Sequence, residues 1–203
     1  MTSILQAAQF LKSVAALSQL PADDGREVAF AGRSNAGKSS ALNVLTGHKG
    51  LARTSKTPGR TQLLNYFTVS PQCYLVDLPG YGYAKVPAAV RRDWGELVGG
   101  YLQQRLALKG LILIMDIRHP FTDFDLQLLD WCQAEELPVH ILLSKADKLS
   151  RGAASQTLQA ARVLLGRDYP AAQMSVQVFS ALKKLGVDEA RHCVTRWLGL
   201  DQV

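Results

Sequence analysis

Apolar residues follow two alternating rhythms along the chain. In "EVAFAG" (27–32), "GLILIMDI" (110–117), "VHILLS" (139–144) and "SVQVFS" (175–180) they form short, nearly continuous runs, the pattern of strands buried on both faces. Between and around these runs the spacing turns helical, over Lys38 to Leu45 and near 88–105, 123–136, 153–165 and 187–198. "QLLNYFTVS" and "CYLVDLPG" read as two strands of an antiparallel hairpin turning at Ser70-Pro71. Residues 4–17 also carry apolar positions at helical spacing and predict a leading helix before the Pro21–Gly25 loop. Thr122, three positions before Asp125, and Ser150, before a run of good helix formers, are set to cap the helices that follow them. Phe124, Leu128 and Trp131 repeat at helical spacing, as do Val187, Ala190, Val194 and Trp197, which predicts core positions for both stripes. Strands separated by helices of this length give an α/β fold: a three-layer α/β/α sandwich with a mostly parallel six-stranded sheet and one antiparallel strand.

The turn after the first of these strands carries the chemistry. "GRSNAGKS", Gly32 to Ser39, fits G-x-x-x-x-G-K-[ST] between a predicted strand and a predicted helix, the context this phosphate-binding loop requires. Glycines let backbone N–H groups close round phosphates, Lys38 brings positive charge to the outer phosphates, and the Ser39 hydroxyl is a Mg²⁺ ligand. Asp77 closes another apolar strand, where its carboxylate can hold the magnesium shell through water, and Gly80 completes D-x-x-G with an N–H for a γ-phosphate. "SKAD", Ser144 to Asp147, ends a third buried strand. The Asp147 carboxylate can accept from N1–H and the 2-amino group of guanine, while adenine offers it neither donor, so the base is guanine. The Lys145 stem can lie along the base plane. In "FSA" (179–181) a backbone N–H can meet guanine O6.

Charge adds a partner class. The chain has 203 residues and a net charge of +6, and residues 48–92 alone hold seven basic residues (Lys49, Arg53, Lys56, Arg60, Lys85, Arg91, Arg92) against one acid, Asp77. The whole excess therefore sits beside the phosphate loop, which favours a polyanion such as RNA. At 47% hydrophobic the chain can build one sizeable core, expected as a single domain over 1–203, with 1–25 as N-terminal helix and loop and 26–203 as the nucleotide-binding core. The longest aliphatic run, "LILIM" (111–115), is far short of the ~20 residues of a membrane span. The start of the chain has no basic segment followed by an apolar block, so a cytoplasmic protein is expected, and nothing calls for DNA or for more than a monomer. Cys73, Cys132 and Cys193, odd in number and in apolar surroundings, read as buried thiols, and His48, His119, His140 and His192 have no zinc-site spacing.

In order along the chain, "GRSNAGKSS", "KTPGRTQLLNYF", "DLPGYGYAKVP", the "KAD" triplet and "FSALKK" resemble the EngB (YihA/YsxC) ribosome-biogenesis GTPases, in the same broad class as the Era and MnmE GTPases, over essentially the whole chain. The resemblance implies the P-loop NTPase G-domain fold. It implies nucleotide contacts from Gly32, Arg33, Ser34, Asn35, Ala36, Gly37, Lys38 and Ser39, and from Gly59, Arg60, Thr61, Gln62 and Leu63. Further contacts would come from Asp77, Leu78, Pro79 and Gly80, from Ser144, Lys145, Ala146 and Asp147, and from Phe179, Ser180 and Ala181. Ser39 and Thr61 would ligate Mg²⁺, with His48 to Arg60 as first switch and Gly80 to Pro87 as second. A mobile-loop hydroxyl such as that of Thr61 couples loop order to nucleotide state. The family's base motif usually opens with Asn or Thr; Ser144 stands here, and the shorter hydroxyl is expected to support neighbouring loops less.

Tyr81 occupies the position where many nucleotide switches carry a water-orienting Gln. It cannot orient water as an amide does, so a slow intrinsic GTPase is expected, with Lys38, Thr61 and Gly80 as its catalytic groups. Related switches gain ~10³ to 10⁵ in rate from a supplied cation. In the wider class the Asn at position 35 helps to bind K⁺; here Asn35 is either such a ligand or a residue that satisfies loop backbone. The resemblance also implies the large ribosomal subunit and its RNA as partner, and an association with septation and cell division most simply explained through ribosome supply. Two other readings stay open: a P-loop ATPase or small-molecule kinase, which Asp147 opposes, and a non-catalytic RNA-binding module that keeps GTP as a structural ligand.

Overall fold

The computed structural model describes residues 3–52, 63–81 and 88–201, with 88–94 as helix backbone. Among the described residues the strands are β1 (Gln9–Val14), β2 (Arg26–Gly32), β3 (Leu64–Ser70), β4 (Cys73–Asp77), β5 (Leu108–Asp116), β6 (Val139–Ser144) and β7 (Met174–Val178). Five helices follow in order: α1 (Lys38–Thr46), α2 (Ala88–Gln104), α3 (Asp123–Ala134), α4 (Arg151–Asp168) and α5 (Val187–Leu198). The sheet order is β1-β3-β4-β2-β5-β6-β7. Because β3 pairs antiparallel with both β4 and β1, it alone runs against the other six strands.

The sheet has one strand more than the sequence pattern predicts, and the extra strand comes from the expected leading helix. Residues 4–17 instead form a short 3₁₀ turn (Ile4–Ala7) and β1. β3 would otherwise be an edge, with a row of unpaired N–H and C=O groups, and β1 pairs with it from Gln9 opposite Thr68 to Val14 opposite Leu64. Phe10 sets its ring edge-on to Phe67 at 6.0 Å. Tertiary pairing therefore overrides a helical spacing that no facing surface supports. The N-terminal stretch thus contributes the edge strand of the sheet in place of the expected helix.

Alternation along the buried strands divides the core. Val28 and Phe30 of β2 face one side with α1 and α5, against Leu42, Leu45 and Val194. Ala29 and Ala31 face the other with α2, α3 and α4, against Tyr101, Leu129 and Leu165. Trp197 of α5 packs over Gly110, where an added Cβ would stand 2.4 Å from the indole. On α3 the inward stripe is Asp125, Leu129 and Cys132, one position on from the predicted Phe124, Leu128 and Trp131. Leu128 and Trp131 pack at its margin, whereas Phe124 is 48% exposed. The stripe is displaced because its leading residue is a buried carboxylate with partners of its own, which a hydrophobic pattern does not reveal. Cys73, Cys132 and Cys193 are buried free thiols, and burial raises Cys132 to about 12 and Cys193 to about 11.

At the end of the sheet opposite the phosphate loop, Glu27 is fully buried. Its Oε2 accepts from the phenols of Tyr101 (2.9 Å) and Tyr66 (3.2 Å), and its Oε1 from Arg105 Nε (3.0 Å) and Nη2 (2.5 Å). Arg105 also donates to Pro21 O and Ala22 O, so a single guanidinium joins α2, β2 and the loop before β2. A buried carboxylate with every oxygen engaged is tolerable; one stripped of its cation is not. Arg105→Met is expected to cost about 3–5 kcal/mol, read as a lower denaturant midpoint at unchanged slope. A shift of less than half a kcal/mol would mean the pair contributes no more than a surface contact.

Candidate functional site

All the predicted nucleotide motifs in the described residues emerge at the C-terminal ends of the parallel strands, the edge where such sheets bind ligands. β2 ends at Gly32, packed so closely that an added Cβ would lie 2.7 Å from Ile114 O. The loop then turns through two left-handed residues, Asn35 (φ 64°) and Gly37 (φ 104°), into α1 at Lys38. The first-turn N–H groups of a helix have no partner within it, and here they open onto the loop. α1 is held from behind by Arg191 of α5, which donates to Leu45 O (2.9 Å) and Val44 O (3.1 Å).

Lys38 Nζ donates to Asp77 Oδ1 at the end of β4. The phosphate-binding cation and the carboxylate expected to hold the magnesium shell are therefore in direct contact, both largely shielded from water. Gly80 lies flush on the loop, where an added Cβ would stand 3.4 Å from Ser34 Cα. The chain then pairs with the loop mouth, Tyr81 N–H donating to Gly32 O (3.4 Å) and Ser34 N–H to Tyr81 O (2.8 Å). The Tyr81 side chain turns into the core. It is buried, and its phenol donates to Asp125 Oδ1 of α3 at 2.5 Å. Burial and then the Asp125 charge push its pKa far above the ordinary phenol value. Asp125 Oδ2 in turn accepts from Thr122 N–H and Oγ1–H, both 2.8 Å, so at the start of α3 it is the Asp125 carboxylate that reaches back to Thr122. Tyr81 thus serves as an anchor for the segment that carries Gly80.

β6 supplies the next two links. Ser144 is buried, and its hydroxyl donates to Ala36 O inside the phosphate loop. The short hydroxyl expected to give weak loop support thus reaches the loop directly. Lys145, at φ 58°, sends Nζ to Asn35 O (2.6 Å) and Asp116 Oδ2 (3.0 Å). Its Cε is 3.9 Å from a Cβ placed on Gly37, so the stem crosses the loop as a bar beside which a base can lie. Asp116 was not singled out from the sequence; Arg118 first and Lys145 after it hold its carboxyl well below the usual range. The strand-end position in "IMDI" was the only signal for it.

The two loops expected to read the base are joined to one another. Ala146 N–H donates to Phe179 O (3.0 Å), and Phe179 N–H to Leu143 O (2.8 Å). Ser180 Oγ donates to Asp147 Oδ1 at 2.5 Å, the first cause of the lowered Asp147 pKa. Asp147 is thus held as a charged acceptor, with Ala181 next to Ser180. Leu78 is buried, Pro79 and Leu63 are half-buried, and Arg33 and Asn35 are exposed at the loop's outer side. Gly59, Arg60, Thr61 and Gln62 lie outside the described residues. So do Arg53, Lys56 and Lys85 and the Arg91 and Arg92 side chains; of the basic segment only Lys49 is described.

A glycine-shaped loop opening onto a helix N-terminus, a lysine and a carboxylate in contact beneath it, and a second carboxylate fixed at the adjoining strand end suit a nucleotide's phosphates and its base. Ser39 and Asp77 add the hard oxygen donors that Mg²⁺ prefers. A family model described as 50S ribosome-binding GTPase matches residues 27–145. Site and match together make the chain a P-loop GTPase. It is 54% identical over 200 residues to the probable GTP-binding protein EngB of Nitrosococcus oceani, covering 98% of this chain and 99% of that one. It is also 54% identical over 200 residues to the Xylella fastidiosa protein of the same name, covering 98% of each. The chain belongs to the EngB family of GTP-binding proteins. Among solved structures, a probable GTP-binding protein engB shares the fold at TM-score 0.66 and 19% identity, over 85% of this chain and 98% of that one. Era, in complex with MgGDPNP and a stretch of 16S ribosomal RNA, shares it at TM-score 0.63 and 21% identity, over 85% of this chain and 56% of that one.

The Ser144 tether makes a quantitative claim. Ser144→Ala leaves Ala36 O without its donor, and a hydrogen bond is worth about 0.5–1.5 kcal/mol. GDP release, followed with a fluorescent analogue, is expected to quicken by about three- to tenfold; an unchanged rate would show that the loop holds its shape without β6.

Proposed function

We propose that this GTPase is a slow nucleotide switch that binds the large ribosomal subunit during its assembly, with its RNA as the contacted surface. The observation that carries the switch is the Asp77–Tyr81 segment: one end touches Lys38, the middle lies flush on the phosphate loop, and the far end is pinned to α3 through Tyr81. Gly80, so held, is where a terminal phosphate would be sensed. The ribosomal partner is supported by the description of the matching family, by the RNA-bound Era neighbour and by the concentration of positive charge in residues 48–92.

In GTP hydrolysis water attacks the γ-phosphorus and the bond to the β-phosphate oxygen breaks, and a bound Mg²⁺ would offset the charge that develops. Lys38 would balance negative charge on the β- and γ-oxygens, Ser39 and Thr61 would ligate the ion, and Asp77 would hold its water shell. The Gly80 N–H would complete the cradle. Asp147 selects guanine, and Ser180 keeps its carboxylate charged and aimed. With the Tyr81 phenol committed to Asp125, this side chain does not orient the attacking water, and rate has to come from K⁺ held near Asn35 or from the ribosomal partner. Thr61 in the first switch, His48 to Arg60 and its neighbour, would couple the basic segment to nucleotide state. Any effect on septation follows from ribosome supply.

GTP turnover in potassium buffer, with and without large ribosomal subunits, tests this. Slow turnover alone, faster in KCl than in NaCl, and strong stimulation by subunits are expected, with binding that weakens as salt rises and is tighter with a GTP analogue than with GDP. Intact GTP-dependent binding without stimulation would favour the second reading, a non-catalytic GTP-dependent RNA-binding module, which the inward-turned Tyr81 motivates. Asp147→Asn is expected to lower GTP affinity by about 10²-fold, the scale of charge-assisted hydrogen bonds at ~1.5–3 kcal/mol each. An equal loss of ATP affinity would count against base reading by Asp147.

A further inference from the structure

We infer that Gln177, next to last in β7 and outside the nucleotide motifs, is a positioning residue for guanine recognition. The inference rests on the reading that Asp147 and the 179–181 loop face the base.

Gln177 is buried at 3% exposure, as is His140 beside it at 4%. The carboxamide nitrogen donates to Gly186 O at 2.7 Å and to Val178 O at 3.2 Å. Val178 is the last residue of β7, and Gly186 is the residue from which α5 departs. One side chain therefore ties the start of the base-reading loop to its end. The fit is close: Gly186 has φ 73°, and an added Cβ would lie 2.2 Å from the carboxamide nitrogen and 2.5 Å from Val178 O.

The orientation of that carboxamide is fixed by its neighbours. Since the nitrogen serves two carbonyls, the oxygen must accept, and His140 Nε2 lies 2.7 Å from it. His140 Nε2 therefore carries the proton, and Nδ1 accepts from Ser175 Oγ at 2.7 Å. Burial lowers the His140 pKa, in keeping with this neutral tautomer.

Between the two tied ends the chain forms a small closed hairpin. Ser180 N–H donates to Leu185 O (3.1 Å), Leu185 N–H to Ser180 O (3.0 Å), and Lys183 N–H to Ser180 Oγ (3.1 Å). The same Ser180 hydroxyl donates to Asp147. A change in the spacing of Val178 and Gly186 would therefore displace both the donor that steadies Asp147 and the Ala181 backbone N–H offered to guanine O6. Gln177 sets that spacing without touching the nucleotide.

The test compares the affinities of GDP and ADP for the wild-type chain, Gln177→Leu and Gln177→Met. The wild type should prefer GDP. In each variant GDP should weaken about tenfold, the scale of the lost hydrogen bonds, while ADP, whose base makes neither the Asp147 nor the O6 contact, changes little, so the preference for GDP falls. Gln177→Met keeps the length of the side chain with no donor and no buried charge beside Gly186 O and Val178 O, so it carries the test if Gln177→Leu fails to fold. Equal weakening of GDP and ADP, or no change in either, overturns the inference. A wild type that does not prefer GDP over ADP overturns instead the reading on which it rests.

Discussion

Two adjacent side chains at the end of β6 hold the phosphate loop, the Ser144 hydroxyl on Ala36 O and the Lys145 ammonium on Asn35 O. The loop needs such ties because it is built from strained backbone. Asn35 and Lys145 are both left-handed non-glycine residues, a conformation that surrounding contacts have to enforce. The same ties place the "SKAD" segment against the phosphate loop, so the distance between the two is set by these two hydrogen bonds as well as by the sheet. Asp116, at the end of β5, braces Lys145 from the other side.

Stability and binding occupy opposite ends of the sheet. At the N-terminal end of β2, Glu27 and Arg105 form a fully satisfied buried pair that fixes where α2 ends. At the C-terminal end, polar groups face each other across loops, Lys38 with Asp77 and Ser180 with Asp147. α2 follows in sequence the segment expected as second switch, and at its far end Arg105 Nε and Nη2 clamp it to Glu27.

The sheet's buried strands, the order of helices and the three nucleotide motifs were legible because each obeys a local rule: a run, a period or a fixed spacing. β1 was not, since "AAQFLKSV" has helical spacing and becomes a strand only because β3 offers an edge 50 residues further along. The stripe on α3 was misplaced by one residue because Asp125 is buried through its bonds to Tyr81 and Thr122, and a search for apolar residues passes over a carboxylate. Ser144 was legible as a departure from the family pattern, but its reach to Ala36 depends on how β6 lies beside the loop. Asp116 and Gln177 belong to no motif, and the fold alone sets Lys145 against the one and His140 against the other.

Tyr81 shows how these two kinds of information meet. The sequence identifies what is missing at that position, an amide that could hold water, but it does not identify what the tyrosine contributes in its place. In the fold, its backbone closes on Gly32 and Ser34 while its phenol reaches Asp125, so Gly80 is held between two fixed points. The base half of the site is set by a separate group of bonds, among β6, β7 and the phosphate loop. On the proposed function, loss of a terminal phosphate would act first on the Asp77–Tyr81 group, and the bonds among β6, β7 and the phosphate loop, which share no hydrogen bond with that group's Tyr81–Asp125 anchor, would be left in place.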